Sequence, residues 1–187
     1  PLVMYHGTKS DFSTFDQKKA GASDEGLAGK GFYFTYNPDE ASGYAESDIF
    51  GSGDAPNVQP VYIFAKNPLR VEKGALPDGR KVMDVHKQHG HGINTKGGAA
   101  IKKLAEDAGH DGVMWVRTDG GPGHVVAFRP EQIKSAIGNA GAFDPASPDI
   151  RLRDTSALRD GESIPRDQAE AFIRSFVAEF PGAPPIM

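Results

Sequence analysis

Six histidines, five tyrosines and no cysteine set the chemistry this chain can attempt. In Tyr5-His6-Gly7-Thr8 a histidine sits beside glycine, offering a ring nitrogen as donor or acceptor next to a backbone that a ligand can approach closely. Farther on come Tyr33, in Gly31-Phe32-Tyr33-Phe34-Thr35, and Tyr44, in Ala41-Ser42-Gly43-Tyr44-Ala45. With one on a strand and the other on the helix after it, the two phenols could hold a flat ring between them. The same pair suits a core in which both hydroxyls are satisfied, and spacing alone does not choose. Lys30 stands in the Gly29-Lys30-Gly31 turn just before Tyr33, either at the edge of that slot or as an ordinary turn lysine.

A second cluster is His86-x-x-His89-x-His91, three imidazoles close enough in sequence to ligate zinc if the backbone folded around it. Gly90 and Gly92 interleave with the histidines, and neither a helical His-x-x-x-His spacing nor a cysteine accompanies them. A solvated loop and no metal are therefore expected. The chain has no phosphate-cradling P-loop, no Gly-x-Ser-x-Gly elbow and no dinucleotide fingerprint after a strand.

The elements that must position these residues are short. Leu2-Val3-Met4-Tyr5-His6 predicts a buried strand that delivers His6 to its end, and Gly31 to Thr35 an aromatic second strand, with Phe12 and Phe15 anchoring the loop between them. Asn37-Pro38-Asp39-Glu40 has the form of a helix start: Asn as N-cap, Pro at the first position, acids in the first turn. A loop from Gly51 to Pro60 precedes strands at Val61–Ala65 and Pro68–Val71, and Gly74 to Gly98 is the least regular stretch. Ala99 to Ala105 has helical spacing and ends at a glycine cap, Gly109. Strands at Asp111–Val116 and His124–Phe128 follow, joined by Thr118–Gly123, with a last one between Gln132 and Ile137; Trp115 is expected to pack a central strand.

Composition bounds the rest. The 187 residues are 38% hydrophobic with 23 glycines and 14 prolines, so one turn-rich folded domain plus a tail is expected. No apolar run approaches the roughly 20 residues of a membrane helix, and a net charge of −4 gives no global basic field for nucleic acid. Residues 1–150 are read as the domain, with a clasp near Phe143–Ile150. Residues 151–187 are read as a linker and a C-terminal helix over Pro165 to Phe180, docked on this domain or opening another. An opening Pro1 suggests a piece of a longer polypeptide.

In ordered combination, the chain resembles ADP-ribosyltransferases of the diphtheria-toxin and poly(ADP-ribose) polymerase type, and most of all the ADP-ribosyltransferase domain of phage polyvalent proteins. The resemblance rests on Tyr5-His6-Gly7-Thr8, the Phe12 and Phe15 pair, Gly31-Phe32-Tyr33-Phe34-Thr35 and Ala41-Ser42-Gly43-Tyr44-Ala45. It continues through Asn67-Pro68-Leu69, His110-Asp111-Gly112-Val113 and Pro130-Glu131-Gln132-Ile133-Lys134-Ser135-Ala136. It implies an α+β fold with a split, twisted, mostly antiparallel sheet, and NAD as substrate with no metal. His6 would contact the adenosine-side ribose, the Gly7 backbone the nicotinamide amide, and Tyr33 and Tyr44 the nicotinamide ring. Ser42 or a neighbour would lie near the amide, with Thr8, Lys30 and Gly31 lining the same site.

The chain departs from that pattern at the third catalytic position, where the family places Glu before Val-x-Phe and this sequence has His124-Val125-Val126-Ala127-Phe128. The triad reads His6, Tyr33, His124. A neutral imidazole accepts a hydrogen bond but brings no negative charge. Three outcomes follow: a weaker or pH-sensitive transferase, another acid such as Glu131 or Asp119 moving in, or an NAD-binding module without activity. The function expected is transfer of single ADP-ribose units from NAD to a protein or nucleic-acid acceptor, with NAD glycohydrolysis or silent NAD binding as alternatives. The setting expected is a bacterial cytoplasm reached by phage or secretion-system delivery, with no membrane partner.

Overall fold

The computed structural model describes residues 2–21, 26–47, 56–89, 96–137 and 150. One seven-stranded sheet organises them, in the order β4-β5-β6-β2-β1-β3-β7. The strands are β1 (Val3–Thr8), β2 (Phe32–Thr35), β3 (Asn57–Ile63), β4 (Leu69–Glu72), β5 (Gly112–Val116), β6 (Pro122–Ala127) and β7 (Ile133–Ser135). Every pairing is antiparallel except β4 with β5. Three helices accompany them: α1 (Pro38–Glu46), α2 (Val82–Gln88) and α3 (Lys96–Asp107). This is the α+β class read from the sequence, with a split at the centre of the sheet. β1 runs beside β3 in register from Val3 with Tyr62 to Thr8 with Asn57, whereas β1 meets β2 at the single pair Tyr5 and Thr35.

Alternation along each strand sorts side chains onto two faces. One face carries Tyr33, Val113 and Val126, and packs against Val82 and Val85 of α2 and Ile101 and Ala105 of α3. The other carries Met4, Phe32, Phe34, Val61 and Val125, covered by Phe15 and Ala20 of the loop after β1 and by Ile150. Ile150, the last residue of the segment read as a clasp, donates its N–H to the Ser13 carbonyl and accepts from Ser135 N–H. The rest of that segment, and the helix expected over Pro165 to Phe180, lie outside the described residues.

Three sequence expectations need correction. β1 does not end at His6 but continues through Gly7 and Thr8, because β3 supplies a partner along its whole length. β3 begins at Asn57 rather than after Pro60: proline has no N–H to give the ladder, but the Pro60 carbonyl accepts from Ala136 N–H. The irregular stretch before Gly98 contains α2, and α3 starts at Lys96. α3 ends where expected, with Gly109 N–H bonding the Glu106 carbonyl and His110 N–H bonding the Ala105 carbonyl.

Candidate active site

The α1 face of the split collects most of the singled-out residues, and Gly7 explains how α1 comes so close. A Cβ at Gly7 would stand 1.9 Å from the Ala41 carbonyl oxygen and 3.0 Å from the Tyr44 Cβ, so only glycine lets the helix lie against β1. α1 itself is fixed by its cap: Asn37 Oδ1 accepts from Asp39 N–H at 3.0 Å, and Pro38 opens the first turn. Tyr44 is 43% exposed on this helix. Ser42 bonds its hydroxyl to the Pro38 carbonyl one turn back, so that group serves the helix.

Tyr33 points from β2 onto the same face, and its hydroxyl is occupied. It accepts from Ala28 N–H at 3.0 Å and donates to the Gly29 carbonyl at 2.8 Å. The loop over it has no room for side chains: at Gly26, with φ +59°, a Cβ would lie 2.4 Å from the Tyr33 ring. Behind the loop stands α3, whose Gly98 would drive a Cβ to 2.5 Å from the Gly26 carbonyl oxygen. His86 on α2 bonds the Leu27 carbonyl at 2.8 Å through Nε2. The loop is thus clamped to both helices and to Tyr33. His86 is buried, not solvated as the sequence suggested, because α2 turns it inward against Gly97. His91 lies outside the described residues, among which no group of three metal-ligating side chains occurs.

His6 faces the other side of the sheet. Its ring lies 5.1 Å from Phe15, 5.5 Å from Phe34 and 6.2 Å from Phe12, in an aromatic cage. Nδ1 reaches across the split to the Tyr33 carbonyl at 2.9 Å. A carbonyl only accepts, so Nδ1 carries the proton and, in the neutral ring, Nε2 holds a lone pair. Burial pushes His6 below its ordinary value, and the bond to Tyr33 only partly offsets it. His6 therefore shares the split with Tyr33 through the latter's backbone, not through a common ring slot. Thr8 accepts from Ser10 N–H, and Gly31 lets β2 approach Val126 of β6.

Lys30 lies beside α3, where its carbonyl accepts from Lys102 Nζ, and it lines a hollow of about 370 Å³ with Lys102, Lys103 and Glu106. A second hollow of about 660 Å³ is lined by His110, Phe128, Arg129 and Glu131 among others. Neither includes His6, Tyr33, Tyr44 or His124.

At the third position, His124 pairs in register with Thr35 and so projects from the face that carries Tyr33. The acid that meets it is neither Glu131 nor Asp119. Glu131 lines the second hollow, and Asp119 is held by the Arg117 guanidinium and Gly121 N–H. Instead Glu40, in the first turn of α1, accepts from His124 Nε2 at 2.8 Å through one oxygen and from the Thr35 hydroxyl at 2.6 Å through the other. Burial alone would raise the Glu40 carboxyl, but the hydrogen bonds from Thr35 and His124 outweigh it and hold the carboxyl below its ordinary range. Glu40 is the residue sequence reasoning missed.

Over residues 1–143 the chain matches the family described as ADP-Ribosyltransferase in polyvalent proteins. The chain belongs to that family. No curated protein and no solved structure matches it. The family's substrate is NAD. On β6, the residue at the expected third position, His124, is touched by a carboxylate from α1.

Proposed function

We propose that this ADP-ribosyltransferase domain transfers single ADP-ribose units from NAD to a macromolecular acceptor and releases nicotinamide. The observation that carries the reading is the convergence of Gly7, Tyr33, Tyr44 and the Glu40–His124 pair on one face of the sheet beside its split. Cleavage of the ribose–nicotinamide bond develops an oxocarbenium-like cation, so the site must clamp a leaving group and set negative charge near the ribose. Tyr44, exposed on α1, and the ring of Tyr33 supply flat surfaces for the pyridinium. His6 lies on the opposite face and serves this site through its bond to the Tyr33 carbonyl, which holds β2 at the split. Ser42 contributes through α1, which its hydroxyl supports.

With no carboxylate at position 124 to activate an acceptor ribose, transfer stops at one unit. The acceptor is protein, RNA or DNA, and the workplace is the cytoplasm of a bacterial cell after delivery by phage or a secretion system, as a toxin or effector. Incubating the full chain with NAD labelled in the adenylate, together with bacterial extract, and separating protein, RNA and DNA fractions tests the reading. Label in one macromolecular fraction with stoichiometric nicotinamide supports it. Free ADP-ribose alone would make the chain a glycohydrolase, and NAD binding without nicotinamide release would make it a silent module.

A further inference from the structure

The geometry points to Glu40 as the residue that supplies the negative charge missing from β6, acting on the reacting ribose through His124 as a positioning residue. This rests on the transferase reading above. Glu40 is the third residue of α1, where a glutamate ordinarily reaches back to the N-cap N–H. That N–H is instead satisfied by the Thr35 hydroxyl oxygen at 3.2 Å, so the carboxylate is released for another task. One oxygen is anchored by the Thr35 hydroxyl and the other is aimed at Nε2 of His124.

A carboxylate has no proton to donate, so Nε2 must carry the hydrogen in that bond and the neutral ring keeps its lone pair on Nδ1. The imidazole is 44% exposed and the carboxylate 35%, so the pair opens to a ligand. The neutral imidazole and its carboxylate together hold one negative charge, which a histidine alone would lack.

In the reaction, the bond between ribose C1′ and the pyridinium nitrogen of NAD breaks. Its electron pair goes to that nitrogen, so nicotinamide leaves neutral and C1′ carries the oxocarbenium charge. His124 Nδ1 accepts a hydrogen bond from a hydroxyl of that ribose, and Glu40 makes the ring a stronger acceptor while opposing the positive charge. An acceptor hydroxyl, amine or water then bonds to C1′ and its proton passes to solvent.

Four full-length chains test this: wild type, Glu40→Gln, His124→Glu and the double variant Glu40→Gln/His124→Glu. Glutamine keeps the size of Glu40 and can still accept from Thr35, but its amide offers a donor to His124. Nε2 must then accept, and the proton moves to Nδ1. Nicotinamide release by E40Q should fall on the order of 10–100-fold in kcat, with the Kd for NAD within about twofold of wild type. The double variant should regain turnover and exceed H124E alone, which sets two carboxylates against each other. A purely structural Glu40 would not be rescued by an acid on another strand.

Wild-type turnover in E40Q, or a double variant no better than E40Q, overturns the proposal. ¹⁵N chemical shifts of the imidazole separate this from failure of the transferase reading. Should no nicotinamide be released by any chain, a wild-type His124 protonated at Nε2 that moves its proton to Nδ1 in E40Q still establishes the pair, and an unchanged tautomer refutes it.

Discussion

His6 Nδ1 and the Tyr33 carbonyl oxygen stand 2.9 Å apart across the gap where β1 and β2 separate. The bond replaces a backbone rung with a side chain, and it ties the protonation state of one ring to the closure of the sheet. A ring caged by three phenylalanines is harder to charge folded than unfolded, so below the ordinary value of 6.5 the unfolded chain binds more protons and acid favours it. Stability contributed by neutral His6 is complete above 6.5 and is lost as pH falls toward its depressed native value. Glu40, also depressed, adds its own loss only below its ordinary value of 4.5. Thermal denaturation between pH 7.5 and pH 5 should show the melting temperature falling with acid, and His6→Gln should flatten that slope. Equal slopes would mean that another group sets the acid limb.

Tyr33 separates ring from hydroxyl. Its hydroxyl satisfies Ala28 N–H and the Gly29 carbonyl in a part-buried loop. Tyr33→Phe should therefore cost about 1–2 kcal/mol in denaturant unfolding and speed hydrogen exchange at Ala28, while retaining measurable nicotinamide release. Tyr33→Ala removes the ring too and should abolish turnover. An Ala variant with wild-type turnover would remove Tyr33 from the site.

The glycines of β1 and α1 make opposite demands. At Gly43 a Cβ would meet nothing within 4 Å, so Gly43→Ala should stabilise the chain by about 0.5–1 kcal/mol through helix propensity and leave activity unchanged. At Gly7 the overlap is with the backbone of α1, which cannot rotate away. Gly7→Ala should cost on the order of 3 kcal/mol and displace the helix that carries Tyr44 and Glu40. Urea midpoints of the two variants check both signs, and a Gly7→Ala chain of native stability would refute the close approach.

Where the sequence was informative and where it was silent follows from range. Asn37 and Pro38 declare α1 through local capping chemistry, and Gly109 declares the end of α3 in the same way. β2 and β5 read as short apolar runs between glycines. α2 was missed because Val82 to Gln88 is too short to show a period, and its neighbouring histidines and glycines resemble a loop. Pro60 masked the start of β3, since the proline rule cannot see that only its carbonyl is called on there. Glu40 was overlooked for a different reason. An acid in a first turn is already explained by the helix dipole, and only the register that sets Thr35 opposite His124 reveals its second partner.

Tyr44 offers the most direct test of the slot. Among the described residues it is one of the large hydrophobic side chains left exposed, at 43%, and it sits where α1 crosses Gly7. Removing it takes little from the core, so Tyr44→Ala should change unfolding free energy by no more than about 0.5 kcal/mol. Loss of one aromatic face against the nicotinamide is worth about 0.5–1.5 kcal/mol, which corresponds to NAD binding weakened roughly 2- to 12-fold. Tyr44→Phe keeps the face and should bind as wild type does. Isothermal titration with NAD reads all three chains, and equal affinity in the alanine variant would place the pyridinium away from α1.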